Sequence, residues 1–343
     1  MLPKSKKLTN FPGCIMDIEY SLPDTIITNE HLSAIHPEWN VMQAAKRTGV
    51  YKRHIANRDE TAYDLALLAS SKLLDNNPGL AEKIDGVIFC TQTPDFIMPS
   101  NAFLLQRDLK LNTNILAFDY NLACSGFVYG ILMASSFIST GIAKNILLVN
   151  SDTYSKHIDS DDRSTQMLFG DGAAVTWVST NNQSVKSPLI SNFDDISCSS
   201  DGLGWNSFYI NSGGCRNPNN ELYSNEYNDK IQMNGLQVLN FVGDRVVKQI
   251  KELLFRNQLQ AHQINRFFFH QASALALDLI HRKLNINSSL SFSNLALIGN
   301  TVSASLPILI KENSLTENLT SESPILICGY GVGYSWGSIL ARK

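Results

Sequence analysis

The sequence predicts an α/β protein in which one structural unit is built twice. Apolar runs that end in small or turn-forming residues alternate with amphipathic segments, as expected for strands buried on both faces and separated by helices. The order of these segments in the first part of the chain recurs in the second part. The chain has 343 residues, 44% of them hydrophobic, which is enough for a large core and more than one usual domain length.

Four apolar runs are the strongest strand candidates. They are DGVIFCTQTPD at 85–95, NILLVNSDTYS at 145–155, NRFFFHQAS at 265–273 and SPILICGYGVG at 323–333. The first leads to the buried helix CSGFVYGILMASS, and the third leads to GNTVSASLPILIKE. We therefore predict an internal duplication with halves at 1–178 and 179–343. In this duplication position 124 corresponds to the region of Asn300, and the strand end near Thr91 corresponds to that near His270.

Residues 191–232 break this pattern. They are rich in Asn, Ser, Gly and Asp and lack clear periodicity. Because a structureless stretch of this length is usually functional or disordered, we interpret it as a surface excursion that helps to cover a substrate entrance. A plain solvated loop is the alternative.

Composition excludes several classes of protein. The net charge is −3 and the chain lacks a long dense Lys/Arg stretch, which argues against nucleic acid as the main partner. No run of 18 apolar residues and no apolar signal segment is present, so we expect a cytoplasmic protein without a membrane span. The sequence also lacks a GxGxxG after its first strand, a P-loop and a metal-ligand cluster, so neither a cofactor nor a metal is expected.

The six cysteines are too sparse for a disulfide scaffold and lack ligand spacing, so they are expected to be reduced thiols. One of them, Cys124 in LACSGF, precedes the apolar residues Phe127, Ile131 and Ala134 at helical spacing. This spacing predicts a cysteine in the first turn of a buried helix, where free N–H groups and the helix dipole lower a thiol pKa. Cys124 is therefore a candidate nucleophile. The alternative is a small apolar residue that fills the core.

Two further residues are candidates for the same site. His270 directly follows the strand RFFF, at the carboxyl end where α/β sheets place their sites; a strand cap is the alternative. Asn300 lies in GNTVSAS, where an N-cap role would also explain it. A cysteine nucleophile with two neutral hydrogen-bond donors is what acyl transfer through a thioester enolate requires.

Five motifs carry a resemblance to a known family. LACSGF, FGDGAA, HQAS, GNTVSAS and GYGVGYSWGS, in that order, resemble β-ketoacyl-acyl-carrier-protein synthase III, a condensing enzyme of the thiolase superfamily. The segment EWNVMQAAKRTGVYKRHIA is similar to the opening of that family. The resemblance implies a thiolase-like duplicated αβαβα five-layer fold, a homodimer, and a catalytic triad of Cys124, His270 and Asn300. It also implies decarboxylative Claisen condensation of an acyl-CoA primer with a malonyl thioester carried by acyl carrier protein.

The resemblance further implies roles in substrate binding. Trp39 matches the residue that stacks on the CoA adenine, and Arg163 matches its arginine partner, although Trp39 lies farther from the RTG motif than is usual in the family. Phe169 would line the acyl pocket, and Gly235 would lie beside the pantetheine tunnel. Met98 matches the position that reaches into the pocket of the partner subunit.

Two remaining roles follow from the same resemblance. The oxyanion hole would use the backbone N–H of Cys124 and one from the turn near Val332 or Gly333. Arg282 and Lys283 stand where the family has a basic pair that docks the carrier protein. The chain departs from the family at two nearby positions, since Ser273 replaces an asparagine and Leu275 replaces an arginine that helps to grip the carrier. These departures favour a branch used in specialised pathways.

Three rival functions remain open at this point. A thiolase would need a second cysteine at the place of Gly329, whereas Cys328 lies one residue earlier and a one-residue offset on a strand points to the other face. An acyltransferase could use the same acyl-cysteine without decarboxylation. A catalytically silent subunit that only binds acyl chains would be expected to lack a member of the triad.

Overall fold

A computed structural model describes residues 11–180, 187–218, 229–314 and 323–343. Its strands, in chain order, are β1 Cys14–Ser21, β2 Ile26–Thr28, β3 Lys52–His54, β4 Gly86–Cys90, β5 Leu116–Tyr120, β6 Asn145–Asp152, β7 Gly172–Ser179, β8 Asn192–Ser200, β9 Phe208–Ile210, β10 Ile231–Met233, β11 Arg266–Phe269, β12 Pro324–Gly331 and β13 Ser335–Arg342. Its α-helices are α1 Asn29–Ile35, α2 Val41–Thr48, α3 Ala62–Asp75, α4 Asn101–Asp108, α5 Gly126–Ser139, α6 Arg163–Gln166, α7 Gly235–Phe241, α8 Val247–Arg256, α9 Ala274–Leu284, α10 Leu295–Ile298 and α11 Ser305–Ser314. None of the helices in these ranges is long and apolar enough to cross a membrane.

The two main sheets repeat one strand order. The first has the order β1-β7-β6-β4-β5, and the second has the order β8-β13-β12-β11. In both, the first two pairings are antiparallel and the third is parallel. Where the first sheet adds β5 in parallel, the second has a single parallel bridge from Phe267 to Ser291. The repeat places Thr91 and His270 at equivalent positions, directly after β4 and β11.

The helices complete five layers. Helix α5 contacts strands of both sheets, and α11 contacts β1, β7 and β11, so these two helices lie between the sheets. Helix α5 is mostly apolar because most of its residues are buried between the two sheets, and only Ser136 and Ser139 near its end are exposed. Helices α3 and α4 pack on the first sheet, and α8, with α9 against it, packs on the second. The thiolase-like αβαβα fold class is confirmed. The boundary between 178 and 179 stays a prediction; it falls before Ser179, the last residue of β7.

The interpretation of 191–232 as a surface excursion is wrong for its first part. Asn192–Ser200 is a nine-residue strand that pairs along β13. The strand was not predicted because many of its side chains are polar. Asp195 is nevertheless buried, since it accepts two hydrogen bonds of 2.6 Å from Arg256. Local periodicity does not reveal such a tertiary partner. After this strand come a 3-10 helix and the short pair β9 and β10, while 219–228 lies outside the described residues.

Candidate active site

Cys124 lies in the turn between β5 and α5, two residues before the first helical residue, Gly126. The sequence had predicted a position inside the first turn of the helix. Its side chain is buried and lines a cavity of about 350 Å³ that opens to the surface beside α2, α6 and α7. The Gly126 N–H closes the turn on the Ala123 carbonyl at 2.7 Å, which fixes the backbone on both sides of Cys124.

The environment of the Cys124 thiol differs from the one expected. Burial raises its pKa well above the ordinary value, and the carboxyl of Asp152 adds to this rise. The predicted fall in pKa is therefore not found, because burial disfavours the charged thiolate. The thiol is neutral near pH 7.

Two glycines of β12 allow this strand to approach the cysteine. A Cβ at position 331 would lie 3.0 Å from Cys124 Cβ and 3.1 Å from Cys124 N, and one at position 329 would lie 2.9 Å from the Cys124 carbonyl oxygen. Gly329 and Gly331 are two residues apart and so share one face of the strand. Any side chain at these positions would push β12 away from the cysteine.

His270 directly follows β11, and its side chain is buried at the wall of the same cavity. Its Nδ1 lies 2.6 Å from the hydroxyl oxygen of Ser305, and its ring meets that of Tyr330 edge to face at 5.4 Å. Burial lowers the His270 pKa to about 3. The imidazole is therefore neutral near pH 7 and carries one N–H.

Asn300 lies in the loop between α10 and α11 and also lines this cavity. Its backbone N–H donates to the Leu168 carbonyl at 2.9 Å, and its carbonyl accepts from the Gly170 N–H at 3.1 Å. Its side-chain oxygen accepts from the Val302 N–H at 3.0 Å, and its Nδ2 donates to the Ala272 carbonyl at 3.4 Å. The N-cap alternative is wrong, because Thr301 is the N-cap of the following 3-10 helix and the Oδ1 bond closes a turn of only two residues. The amide uses one N–H for Ala272, and its second N–H can donate to a substrate.

Comparisons with known proteins agree on one family. Residues 118–196 match the model of 3-oxoacyl-acyl-carrier-protein synthase III, and residues 254–343 match the model of its C-terminal part. The β-ketoacyl-acyl-carrier-protein synthase III of Aliarcobacter butzleri is 33% identical over 325 residues, covering 94% of this chain and 95% of the relative. The chain belongs to the 3-oxoacyl-acyl-carrier-protein synthase III family.

Solved synthase III structures share the fold over almost the whole chain. A crystal structure of a 3-oxoacyl-acyl-carrier-protein synthase III at 32% identity superposes with a TM-score of 0.90, covering 97% of this chain and 100% of the other. The 3-oxoacyl-acyl-carrier-protein synthase of Burkholderia xenovorans, at 31% identity, gives a TM-score of 0.87 and covers 98% and 95% of the two chains. The resemblance inferred from the motifs is therefore confirmed.

In this synthase III family member, several binding residues predicted from the resemblance lie at the cavity. The four that line it are Arg163, Phe169, Gly235 and Val332. Phe169 is buried and packs against Tyr154 and Phe208, with ring centroids 5.3 and 5.9 Å away. Gly333 does not line the cavity, whereas Gly331 does.

Trp39 does not reach the cavity. It precedes Asn40, the N-cap of α2, and stacks on His36 with ring centroids 3.8 Å apart. The helix instead turns Asn40, Gln43 and Arg47 toward the cavity. These positions recur at the spacing of one helix face, a signal that the sequence carried, whereas Trp39 lies before that face begins.

The remaining predicted residues lie on the outside of this chain. Met98 is 80% exposed, and its neighbour Ile97 is 90% exposed. Arg282 and Lys283 are exposed in the last turn of α9, where Lys283 donates to the Gly243 carbonyl at 3.0 Å. Their roles in dimer formation and carrier docking stay predictions.

Sequence reasoning missed several residues of the cavity and its wall. Those that line the cavity are Gln43, Arg47, Tyr154, Phe208 and Tyr330. Ser305 was missed as the partner of His270, although it belongs to the motif GNTVSAS. Ser273, which replaces the family asparagine, is the N-cap of α9 and accepts from the Ala276 N–H at 3.2 Å. Serine and asparagine are both good N-caps, which explains why this departure leaves the helix intact.

Proposed function

We propose that this chain is a β-ketoacyl-acyl-carrier-protein synthase III that joins an acyl primer from acyl-CoA to a malonyl thioester. The observation that carries the proposal is that Cys124, His270 and Asn300 line one cavity of a synthase III fold. A nucleophile and two neutral donors at one cavity suit a reaction that passes through an acyl-cysteine and an enolate.

The first half-reaction acylates Cys124. Its sulfur attacks the thioester carbon of acyl-CoA, the bond from that carbon to the CoA sulfur breaks, and the thiol proton ends on the released CoA. The backbone N–H of Cys124 and one from the turn at 331–333 would hold the oxyanion of the tetrahedral intermediate. Gly331 serves this step because it lets the turn lie against the cysteine backbone.

The second half-reaction uses His270 and Asn300. The malonyl carboxylate leaves as carbon dioxide, and the electron pair of the broken C–C bond passes to the thioester as an enolate. Nε2–H of His270 and Nδ2–H of Asn300 donate to the enolate oxygen. The enolate carbon then attacks the acyl carbon, Cys124 leaves as a thiolate that takes up one proton from water, and the product is a β-ketoacyl thioester.

The hydrogen bonds around His270 support this assignment of its proton. For Nε2 to donate, Nδ1 must accept, and the Ser305 hydroxyl at 2.6 Å is able to donate to it. Because burial keeps the imidazole neutral, this tautomer persists at neutral pH.

The thiolase alternative loses support from the position of Cys328. Gly329 and Gly331 occupy the face of β12 that meets Cys124, so Cys328, one residue before Gly329, points to the other face. Burial also raises the pKa of the Cys328 thiol to about 12, which opposes its use as a base.

Partners and location complete the proposal. Acyl-CoA is the primer donor, and acyl carrier protein bearing malonate is the extender, docked by Arg282 and Lys283. The protein works as a homodimer in the cytoplasm, without a cofactor or a metal, and Met98 lies at the dimer interface.

The proposal is tested by following each half-reaction. Incubation with an acyl-CoA panel should add one acyl mass to the intact protein, and Cys124→Ala should abolish the adduct. Cys215→Ala, which removes an exposed thiol, is the control and should keep it. Labelled malonyl carrier protein should then release carbon dioxide. If wild type releases none from malonyl carrier protein or malonyl-CoA, yet passes its acyl group to an alcohol or amine, the acyltransferase alternative replaces this proposal.

A further inference from the structure

Asp152, at the end of β6, is a buried carboxyl that the reaction described above does not use. One of its oxygens accepts from the Gln92 N–H at 2.8 Å. The other accepts from the Ser303 hydroxyl at 2.6 Å and from the Ser303 N–H at 3.4 Å. These donors are neutral, although a buried carboxylate is usually paired with a cation. These hydrogen bonds indicate that the carboxyl holds part of the backbone in place.

The segment that Asp152 holds is the turn of Asn300. Ser303 lies in the 3-10 helix Val302–Ala304, which directly follows Asn300 and Thr301. Asp152 therefore connects the first sheet to the turn that presents the Asn300 amide. Asp152 and Ser303 are 151 residues apart in the chain.

Val302, which lies between Asn300 and Ser303, is in a strained backbone conformation. Val302 has a φ of 52°, in the left-handed region, and is fully buried. A β-branched residue rarely adopts this conformation, which persists only when its surroundings impose it. Two contacts impose it here: Asn300 Oδ1 accepts from the Val302 N–H, and Asp152 holds Ser303 on the other side.

We propose that Asp152 is a positioning residue for Asn300: by holding Ser303 it keeps Val302 in the left-handed conformation from which Asn300 presents its amide N–H to the cavity. This inference rests on the proposed function, because it concerns the donor to the enolate oxygen. It assigns Asp152 to the second half-reaction and not to the acylation of Cys124.

A second property of Asp152 separates the two half-reactions. The groups that interact electrostatically with its carboxyl are acids themselves: Cys90, Tyr120, Cys124, Tyr154 and Asp171. Burial raises the pKa of the Asp152 carboxyl to about 7, so this group is ionised at the alkaline pH where the Cys124 thiol titrates. Its negative charge there opposes the Cys124 thiolate and raises the pKa of that thiol. Removal of the charge should therefore favour the thiolate while it loosens the turn of Asn300. A general loss of structure would instead impair both steps.

Two variants and one control test the inference. Ser303→Ala removes the hydroxyl that donates to Asp152, and Asp152→Asn keeps the shape but removes the charge and one of the two acceptor oxygens. Ser70→Ala is the matched control, because Ser70 is equally buried and its hydroxyl has no hydrogen-bond partner among the described residues. Each is compared with wild type in acylation of Cys124, in release of labelled carbon dioxide from malonyl carrier protein, and in the pH profile of Cys124 alkylation by iodoacetamide.

We expect carbon dioxide release to fall about tenfold in Ser303→Ala and between about tenfold and a hundredfold in Asp152→Asn, as for small displacements of a reacting group. The rate of Cys124 acylation should stay within about twofold of wild type in Ser303→Ala, because acylation does not use the Asn300 amide. In Asp152→Asn the alkylation profile should move to lower pH.

Release at the wild-type rate in both variants, or an equal fall of acylation and release in Ser303→Ala, would overturn the positioning role. If Asp152→Asn does not fold, the result for Ser303→Ala is sufficient to test the positioning role. A wild type that releases no carbon dioxide overturns the proposed function itself, which distinguishes the two failures.

Discussion

The hydroxyl oxygen of Ser305 lies 2.6 Å from Nδ1 of His270, and both groups are buried. Ser305 begins α11, whereas His270 follows β11, so the contact joins the two ends of the segment that carries Asn300. In the proposed reaction the hydroxyl donates to Nδ1, which leaves the imidazole proton on Nε2.

Ser305→Ala should slow decarboxylation. Without the hydroxyl, Nδ1 loses the partner that favours the Nε2–H tautomer, and a lost hydrogen bond of about 1 kcal/mol corresponds to a several-fold to tenfold fall in rate. Carbon dioxide release from acylated enzyme measures the effect. Ser135→Ala, another buried serine whose hydroxyl has no described partner, should behave as wild type. Equal rates in both variants would refute the role of Ser305.

Burial of His270 should appear in the pH dependence of stability. Its pKa is lowered to about 3, whereas an unfolded imidazole titrates near about 6.5, so the unfolded state binds more protons between these values. Stability should therefore fall as the pH drops through this window and be fully present above about pH 6.5. Urea unfolding at pH 5 and pH 7 should show a smaller difference for His270→Gln than for wild type. An unchanged difference would mean that His270 is charged in the folded state.

The architecture could be predicted because strands buried on both faces leave continuous apolar runs. Strands β4, β6, β11 and β12 were found in this way. Strand β8 was missed because its sequence, NFDDISCSS, is polar, and Asp195 is stabilised by Arg256, a contact that only the folded chain creates. The local hydrophobic pattern of a sequence predicts the burial of apolar residues well, but it predicts the burial of paired charges poorly.

The site was predicted less completely than the fold. Cys124, His270 and Asn300 could be found because each follows a recognisable strand or opens a helix, and the cavity brings them together. Trp39 stacks on His36 and does not line the cavity, so its role in stacking on the CoA adenine stays a prediction. The contact of Asp152 with Ser303 spans 151 residues, and no local pattern could reveal it.

Gly331→Ala should impair acylation. The new Cβ would lie 3.0 Å from Cys124 Cβ and 3.1 Å from its backbone nitrogen, so either β12 or the cysteine must move. A shift of this kind should lower the acylation rate by about tenfold or more and cost about 1 to 3 kcal/mol of stability. Gly214→Ala, where a Cβ meets open space, is the control. Wild-type acylation in Gly331→Ala would show that the close approach is not needed.

Met98→Arg should weaken the homodimer. The exposed apolar residues Phe96, Ile97 and Met98 form one segment, and a buried arginine without a partner is costly at an interface. Sedimentation of wild type at micromolar concentration should give about twice the 38.1 kDa chain mass, and Met98→Arg should shift the species toward the monomer. Met42→Arg, which changes another methionine that is 67% exposed, should leave the mass unchanged. An active, stable wild-type monomer would contradict the assembly.

Substitution of Asn300 should separate the two half-reactions most clearly. Asn300→Ala removes the Nδ2 donor proposed for the enolate oxygen, and loss of one such donor typically costs about 10² to 10³ in rate, or about 3 to 4 kcal/mol. It also removes the oxygen that accepts from the Val302 N–H at 3.0 Å, so a second variant is needed. Asn300→Asp keeps an oxygen for that bond, loses the donor and, when ionised, adds a negative charge beside the enolate. Both variants should form the acyl adduct on Cys124 at close to the wild-type rate, because acylation does not pass through the enolate. Both should release carbon dioxide from malonyl carrier protein at least about a hundredfold more slowly than wild type. If Asn300→Asp decarboxylates normally while Asn300→Ala does not, Asn300 acts by supporting its turn, and His270 alone stabilises the enolate.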